Sequence, residues 1–156
     1  MSTTNPLPTR RTMSERQGSL ERAIAIATQA HAGQVDKAGE PYIEHPLRVM
    51  RAMTTEPERI VAVLHDVVED TTVTLEQLRD EGFSEDVLAA VDALTKRPGE
   101  SRMQAAARAK LNPIARRVKL ADNADNQDMT RIANPTDKDR ARIAEYKAIR
   151  AFLKRP

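Results

Sequence analysis

Several residue types are absent or scarce in this chain of 156 residues, and each shortage removes a class of protein. There is no cysteine, so neither a disulfide framework nor a thiolate metal site can form. Aromatic residues make up 3% of the chain, so the core must consist of Ala, Leu, Ile, Val and Met, and such a composition with only five glycines favours helices over sheets. No apolar run approaches the roughly 20 residues that span a bilayer, and the N-terminus has no apolar signal core. We therefore expect a soluble, cytoplasmic protein with no membrane partner.

The charge of the chain also argues against a nucleic-acid partner. The formal net charge is +2, which is a slight excess of bases over acids. Basic residues are frequent in residues 108–117 and 131–155, but acids are interleaved with the latter and almost no aromatic side chains are present to stack on bases. We interpret these charge-dense stretches as solvated helix surfaces.

The pattern of apolar and capping residues predicts one all-α domain over residues 14–156, preceded by a flexible arm over residues 1–13. No strand-like alternation and no internal repeat is present. The first helix is expected to begin at Ser14 and end near Gly33, and the third to continue through His65 to Asp70. Further start signals are the capping boxes of residues 55–58 and 74–77, together with Pro46, Ser84, Asn112-Pro113 and Thr136.

The stretch Val61-Ala62-Val63-Leu64-His65-Asp66-Val67-Val68-Glu69-Asp70-Thr71 is the most informative in the chain. Its first half is typical of a buried helix, but three carboxylates gather in what would be the last turn. The helix dipole is already negative there, so each carboxylate costs about 0.3–1 kcal/mol. On a helix, His65 and Glu69 lie one turn apart, and so do Asp66 and Asp70. This concentration of negative charge indicates a bound cation.

Two further residues could complete a metal site around His65 and Asp66. The chain has three histidines. His45 lies at a loop-to-helix boundary just before Pro46, and Asp122 follows an apolar helical stretch. Two imidazoles and two carboxylates from three separate elements suit a six-coordinate first-row ion with water in the open positions. Such an ion acidifies water, which becomes a nucleophile for hydrolysing a phosphoester. The third histidine, His31, is interpreted as a core residue.

These motifs resemble those of the HD-domain phosphohydrolases, and within them the hydrolase domain of the RelA/SpoT alarmone enzymes and their small stand-alone homologues. The resemblance extends from about Leu20 to Asn126. It rests on Ala30-His31-Ala32-Gly33-Gln34, Gly39-Glu40-Pro41-Tyr42-Ile43-Glu44-His45-Pro46, Leu64-His65-Asp66-Val67-Val68-Glu69-Asp70-Thr71, Leu94-Thr95-Lys96 and Lys119-Leu120-Ala121-Asp122.

The resemblance implies a helical HD fold and a metal-dependent reaction. It implies one divalent metal ion, commonly manganese, bound by four residues: His45, His65, Asp66 and Asp122. Glu69 and Asp70 match the pair that positions or activates the attacking water, and Asn126 matches an asparagine near the nucleotide sugar. The implied reaction removes pyrophosphate from the 3′ position of (p)ppGpp. The chain has no room for the synthetase domain of the long enzymes, so a hydrolase alone is implied.

The chain departs from that family pattern around the nucleotide. Asp36 replaces an arginine that stacks on the base, although Lys37 matches a basic position. Asn123-Ala124-Asp125 stands where the family has Arg-Leu-His or a near variant, and Gln127-Asp128-Met129 stands where Met-Arg-Thr is usual. These departures leave two alternatives open. One is another nucleotide substrate, such as NADPH losing its 2′-phosphate, and the other is a catalytically silent nucleotide sensor.

Three lysines could neutralise the phosphate charge of a nucleotide: Lys37, Lys96 and Lys119. Lys96 and Lys119 could equally pair with nearby acids. Asp125 and Asp128 continue one helical strip from Asp122, and we interpret them as a solvated face rather than a second cation site. The sequence predicts neither the metal used in the cell nor the oligomeric state.

Overall fold

The computed structural model describes residues 17–128 and 132–156, and this part of the chain folds into helices without a β-strand. The predicted flexible arm lies outside the described residues. The helices are α1 Leu20–Ala30, α2 Glu44–Arg51, α3 Glu56–Leu64, α4 Val67–Asp70, α5 Leu75–Asp80, α6 Glu85–Leu94, α7 Arg102–Lys110, α8 Pro113–Asn126 and α9 Asp137–Lys154. The predicted all-α class is confirmed. None of these helices combines the length and apolar content that crossing a bilayer requires.

Helix α1 begins later than predicted. Ser19 is its N-cap, with a side chain that accepts a hydrogen bond from the backbone N–H of Arg22. Gln17 and Gly18 form a turn instead of helix. Gly18 has a φ of +68°, and a Cβ there would lie 2.5 Å from the carbonyl oxygen of Gly82. The close approach of two backbones therefore requires a glycine, and the turn at residues 17 and 18 interrupts the predicted helix, whereas Ser14 itself lies outside the described residues.

Five of the helices begin at their predicted caps, namely α3, α5, α6, α8 and α9. The capping boxes opening α3 and α5 both form, through Thr55 with Glu58 and through Thr74 with Gln77. Asn112 caps α8 ahead of the proline in its first turn. These starts are predictable because a capping residue and its backbone partner are three positions apart.

Helix α3 forms the centre of the molecule. Val61, Ala62, Val63 and Leu64 have no exposed surface, and the helix contacts α1, α2, α6 and α8. Each buried Val or Leu contributes about 1.5–3 kcal/mol relative to an exposed one. A smaller core of Ala106, Ile149 and Leu153 attaches α9 to the α7–α8 side. The site residues at the end of α3 are therefore held by the most deeply buried helix.

The predicted continuous helix through Asp70 is wrong, because α3 ends at Leu64 and α4 starts at Val67. The Nδ1 of His65 lies 2.5 Å from the carbonyl oxygen of Ala62. That imidazole thus occupies the carbonyl that the backbone N–H of Asp66 would use in a continuous helix. The resulting break points the side chains of His65 and Asp66 to the same centre.

Candidate metal centre and cleft

The four predicted metal ligands come from three parts of the fold and meet at one point. His45 is the second residue of α2, His65 and Asp66 form the break between α3 and α4, and Asp122 lies on α8. One donor atom from each of the four lies within 4.8 Å of all the others. Apart from Asp66, which is half-buried, these residues are buried.

Asp122 is the central acceptor of this cluster. Its Oδ1 lies 2.8 Å from Nε2 of His45 and 3.2 Å from Nε2 of His65. Asp66 Oδ2 lies 3.0 Å from Nε2 of His65 and 3.9 Å from Nε2 of His45. Both imidazoles therefore present the same ring nitrogen to the two carboxylates.

The opposite nitrogen of each imidazole is held by an acceptor outside the cluster. Nδ1 of His45 lies 2.6 Å from Oδ2 of Asp125, and Nδ1 of His65 donates to the Ala62 carbonyl. With the proton on Nδ1, each Nε2 is available as a metal donor. Two such nitrogens and two carboxylate oxygens fit a divalent first-row cation.

The electrostatics of the cluster favour positive charge. Burial alone would lower the pKa of His45, but hydrogen bonds to Asp122 and Asp125 outweigh it and raise the pKa to about 9. For His65 the charges of Asp66 and Asp122 likewise overcome burial and hold the pKa well above its usual range. A divalent cation can replace these imidazolium protons as the source of positive charge among the carboxylates.

Tyr42 supports the cluster from the loop before α2 and was missed by the sequence reasoning. Its hydroxyl donates to Oδ2 of Asp66 at 2.5 Å. Burial and the negative charge of Asp66 raise the pKa of Tyr42, so the phenol stays protonated and remains a donor. Its ring also lies against His31, with the two ring centroids 5.1 Å apart. The available signal was its place three residues before His45 in a motif already singled out.

The predicted core histidine is confirmed as buried, and it also lies behind the site. His31 is 2% exposed, and its Nδ1 is 3.0 Å from Oε1 of Gln34. The amide nitrogen of Gln34 in turn donates to the carbonyl of Asp70 at 3.3 Å. His31 and Gln34 thus connect the end of α1 to the acidic turn.

Glu69 and Asp70 lie beside the metal cluster at its exposed edge. Together with Asp66 they form a second set of carboxylates whose oxygens are within 4.8 Å of one another. Glu69 Oε1 accepts the backbone N–H of Lys96 at 2.7 Å. Partial burial and the charges of Asp66 and Glu69 raise the pKa of Asp70 to about 6. Asp70 can therefore exchange a proton near neutral pH.

A cavity of about 460 Å³ opens over these residues. The predicted nucleotide contacts Lys37, Lys96 and Asn126 all line it. Lys37 Nζ is paired with Asp139 Oδ1 on α9 at 2.7 Å, and Asn126 Nδ2 donates to Asp122 Oδ1 at 3.2 Å. Lys119 Nζ lies 3.2 Å from Asp122 Oδ2, which matches the alternative in which it pairs with a nearby acid.

Helices α7 and α9 add cavity residues that the sequence reasoning did not identify. These are Arg102, Arg142 and Tyr146, and the guanidinium of Arg102 lies 6.0 Å from the centre of the Tyr146 ring. Arg142 and Tyr146 are four residues apart on α9, a spacing found on any helix face, and Arg102 is the first residue of α7, so no local signal marked them as cavity residues.

The departures after Asp122 have structural roles. The predicted solvated position of Asp125 is wrong, since it contacts His45 and also pairs with Arg48. Asn123 is buried and its amide donates to the carbonyl of Tyr146 at 2.8 Å, which ties α8 to α9. Asp128 is exposed and lines the cavity.

Comparison with known proteins identifies the class. A family model described as HD domain matches residues 23–146. The chain therefore belongs to the HD-domain family.

Relatives within this family act on guanine nucleotides, judging by their names. A guanosine-3′,5′-bis(diphosphate) 3′-pyrophosphohydrolase of Borreliella burgdorferi is 40% identical over 82 residues, covering 50% of this chain and 12% of that protein. A GTP pyrophosphokinase of Streptomyces coelicolor is 39% identical over 121 residues, covering 69% of this chain and 14% of that protein. The matches thus span little more than a tenth of these relatives.

A solved structure shares the fold over nearly the whole chain. It is described as a metazoan ortholog of SpoT that hydrolyses ppGpp. The TM-score is 0.71, with 22% identity over 94% of this chain and 88% of that one. This chain therefore shares its helical fold with a protein chain of similar length.

Proposed function

We propose that this chain is a metal-dependent phosphohydrolase that removes pyrophosphate from the 3′ position of (p)ppGpp. The observation that carries the proposal is the convergence of His45, His65, Asp66 and Asp122 within 4.8 Å beneath a cavity of about 460 Å³. That volume lies in the range of small-molecule sites, which is about 300–1,000 Å³. The names of the relatives support the substrate.

The four converging side chains would hold one divalent cation, with Mn²⁺ favoured by the resemblance. When bound, such a cation polarises a phosphoryl oxygen and lowers the pKa of water. The Nδ1 contacts of both imidazoles keep each Nε2 aimed inward, and Tyr42 orients the Asp66 carboxylate. The chain thus supplies both the ligands and the groups that orient them.

Glu69 and Asp70 would handle the attacking water. Both carboxylates lie next to Asp66 and face the cavity. Glu69, held by the N–H of Lys96, would orient the water and accept its proton as the oxygen bonds to phosphorus. Asp70, with a pKa near 6, could return a proton to the departing 3′ oxygen when the bond from that oxygen to phosphorus breaks.

The nucleotide would be held by cations and one amide on the cavity wall. Lys37 and Lys96 can neutralise phosphate, and Asn126 lies beside Asp122, where a ribose would approach the metal. Lys37 must first leave Asp139, so substrate phosphate and this carboxylate compete for one ammonium group.

A second nucleotide substrate is favoured by one feature, the aspartate at position 36. Its Oδ1 accepts the backbone N–H groups of Ala38 and Glu40, at 2.8 and 3.0 Å. Asp36 therefore stabilises its own loop and offers no stacking surface to a base. Hydrolysis of another nucleotide, such as loss of the 2′-phosphate from NADPH, is the alternative.

A nucleotide panel separates these functions. Purified protein with Mn²⁺ is given ppGpp, pppGpp and NADPH, and released pyrophosphate and phosphate are measured. We expect pyrophosphate from the alarmones and loss of both Mn²⁺ binding and turnover in Asp66→Ala. Asp80→Ala, which removes an exposed acid that does not line the cavity, serves as the control. Phosphate released from NADPH alone would favour the alternative, whereas ppGpp binding without turnover would indicate a sensor.

A further inference from the structure

We propose that Asp125, held in place by Arg48, is a positioning residue that strengthens metal binding through His45. The inference concerns the cation and this chain's own residues, and it rests on the proposed metal site but not on the identity of the nucleotide. Asp125 would orient the imidazole of His45, whose other ring nitrogen would face the ion.

Asp125 uses both carboxylate oxygens in this arrangement. Oδ2 lies 2.6 Å from Nδ1 of His45, and the guanidinium of Arg48 meets Oδ1 at 2.8 Å through Nε and Oδ2 at 3.1 Å through Nη2. The Asp125 side chain is 15% exposed. A two-pronged guanidinium contact fixes the plane of the carboxylate, and the carboxylate then fixes the plane of the imidazole.

Helical spacing brings the three groups together. His45 and Arg48 are three residues apart on α2, and Asp122 and Asp125 are three residues apart on α8. Residues at this spacing lie on one helix face. One face of α8 therefore carries the metal ligand Asp122 and also Asp125, which contacts His45. The facing side of α2 carries His45 and also Arg48, which pairs with Asp125.

The two imidazoles of the site differ in what holds them. Nδ1 of His65 contacts the neutral carbonyl of Ala62, whereas Nδ1 of His45 contacts a carboxylate. An anionic acceptor increases the electron donation of an imidazole to a metal more than a neutral carbonyl does. The carboxylate contacts the ring nitrogen that faces away from Asp122, so it acts through His45 and not on the ion itself.

The departure of residues 123–125 from the family pattern thereby acquires a function on the metal side of the site. An aspartate at position 125 can accept a hydrogen bond from His45 and at the same time form an ion pair with Arg48. This part of α8 would thus contribute to metal affinity and not only to nucleotide contact.

Titration of metal-stripped protein with Mn²⁺ in a calorimeter tests the inference without any nucleotide. Removing an outer partner of a metal ligand commonly costs about 10–100-fold in affinity, and we expect a loss of this size in Asp125→Ala. Asp125→Asn keeps an acceptor oxygen but loses the charge, so it should lose a smaller factor, about fivefold. A Kd equal to that of the wild-type protein in both variants would overturn the proposal.

The matched control is Glu81→Gln. Glu81 pairs with Arg22 at 2.8 Å, its side chain is similarly shielded at 22% exposure, and it links two elements away from the metal cluster. This variant should bind Mn²⁺ within twofold of the wild-type protein while losing a comparable ion pair. An equal loss of affinity in Glu81→Gln would show that only general stability was affected, and would refute a specific role for Asp125.

Turnover provides a second readout. In Asp125→Asn the Mn²⁺ concentration for half-maximal activity should rise, whereas KM for the nucleotide at saturating Mn²⁺ should stay within twofold. A raised KM with an unchanged Mn²⁺ requirement would move Asp125 to the nucleotide site and contradict the proposal. If the wild-type protein hydrolyses no nucleotide, the proposed function fails, but the calorimetric comparison still decides the role of Asp125.

Discussion

His45 contacts a carboxylate through each of its ring nitrogens, Asp122 through Nε2 and Asp125 through Nδ1. Both contacts favour the imidazolium form. Coordination of a metal by Nε2 requires that nitrogen to be deprotonated. Proton release must therefore accompany metal binding at this residue.

Metal affinity should consequently rise with pH. Burial alone would lower the pKa of His45, but the hydrogen bonds to Asp122 and Asp125 raise this pKa to about 9. The imidazole therefore still carries its second proton at pH 7. For each displaced proton, the apparent Kd for Mn²⁺ should fall about tenfold per pH unit below that pKa. Calorimetry between pH 6.5 and 8.5, in buffers of different ionisation enthalpy, measures the effect. A Kd that stays constant over this range would contradict the assignment of His45 as a ligand.

Asp70 carries an unfavourable charge, which its neutral isostere should relieve. Partial burial and two neighbouring carboxylates raise its folded-state pKa to about 6 from 3.8. The ionised form thus weakens the fold above pH 6 and has no effect below pH 3.8. Asp70 is exposed and solvent-screened, so Asp70→Asn should raise the free energy of unfolding of metal-stripped protein by only about 1 kcal/mol at pH 8.

Urea unfolding at pH 8 and pH 4 measures this gain, which should vanish at the lower pH. Asp80→Asn, at an exposed acid for comparison, should change stability by less than about 0.5 kcal/mol at either pH. A destabilised Asp70→Asn protein at pH 8 would show that the carboxylate makes a favourable contact. In the presence of metal the same substitution should reduce turnover.

At the scale of the helices, the break between α3 and α4 creates the site. Continued helix would have placed His65 and Asp66 100° apart around one axis. The Ala62 carbonyl instead accepts the His65 ring, and the backbone turns at Asp66. The periodicity of residues 61–68 predicted the buried helix correctly but contained no signal for this exchange of hydrogen-bond partners.

Helix α9 contacts Lys37 through an ion pair. Asp139 in its first turn lines the cavity and holds the Lys37 ammonium at 2.7 Å. Asp139→Asn should release Lys37 to bind phosphate and remove a negative charge from the cavity. We therefore expect KM for the nucleotide to fall severalfold with little change in kcat, measured by steady-state pyrophosphate release.

Asp137→Asn is the matched control for this prediction. Asp137 also lies in the first turn of α9, but its side chain is 99% exposed and pairs with Arg140. It should leave KM unchanged. A rise of KM in Asp139→Asn would mean that the carboxylate contacts the substrate directly instead of competing with it.

For the whole molecule, a bound cation would connect α2, the α3–α4 break and α8. A ligand present at 100 times its Kd stabilises the folded state by about 2.7 kcal/mol. For a chain of this size each kcal/mol shifts Tm by about 2–4 °C, so Mn²⁺ at that excess should raise Tm by about 5–10 °C. Thermal unfolding with Mn²⁺ and with a chelator measures the shift.

Asp66→Ala should show no such response, because it removes one of the four ligands. A Tm that rises equally in this variant would indicate that Mn²⁺ binds elsewhere on the chain. The second carboxylate group, which shares Asp66, would lose its binding geometry in the same variant.

Helix class, most helix starts and the acidic stretch that follows α3 were accessible from the chain alone, because caps and periodicity depend on residues three or four positions apart. His45 and Asp122 were identified through the scarcity of histidine and through family resemblance. The predicted first helix did not anticipate the turn at Gly18, because the positive φ of Gly18 accompanies a close backbone contact with Gly82, 64 positions away.

Packing alone decided the contacts between distant residues. His45 meets Asp122 across 77 positions, and Lys37 meets Asp139 across 102. Which face of α8 turns toward α2, and hence whether Asp125 is solvated or holds an imidazole, depends on how whole helices bury their apolar sides. The chemistry of the candidate site could therefore be read from residue types, whereas its outer partners could be read only from the assembled fold.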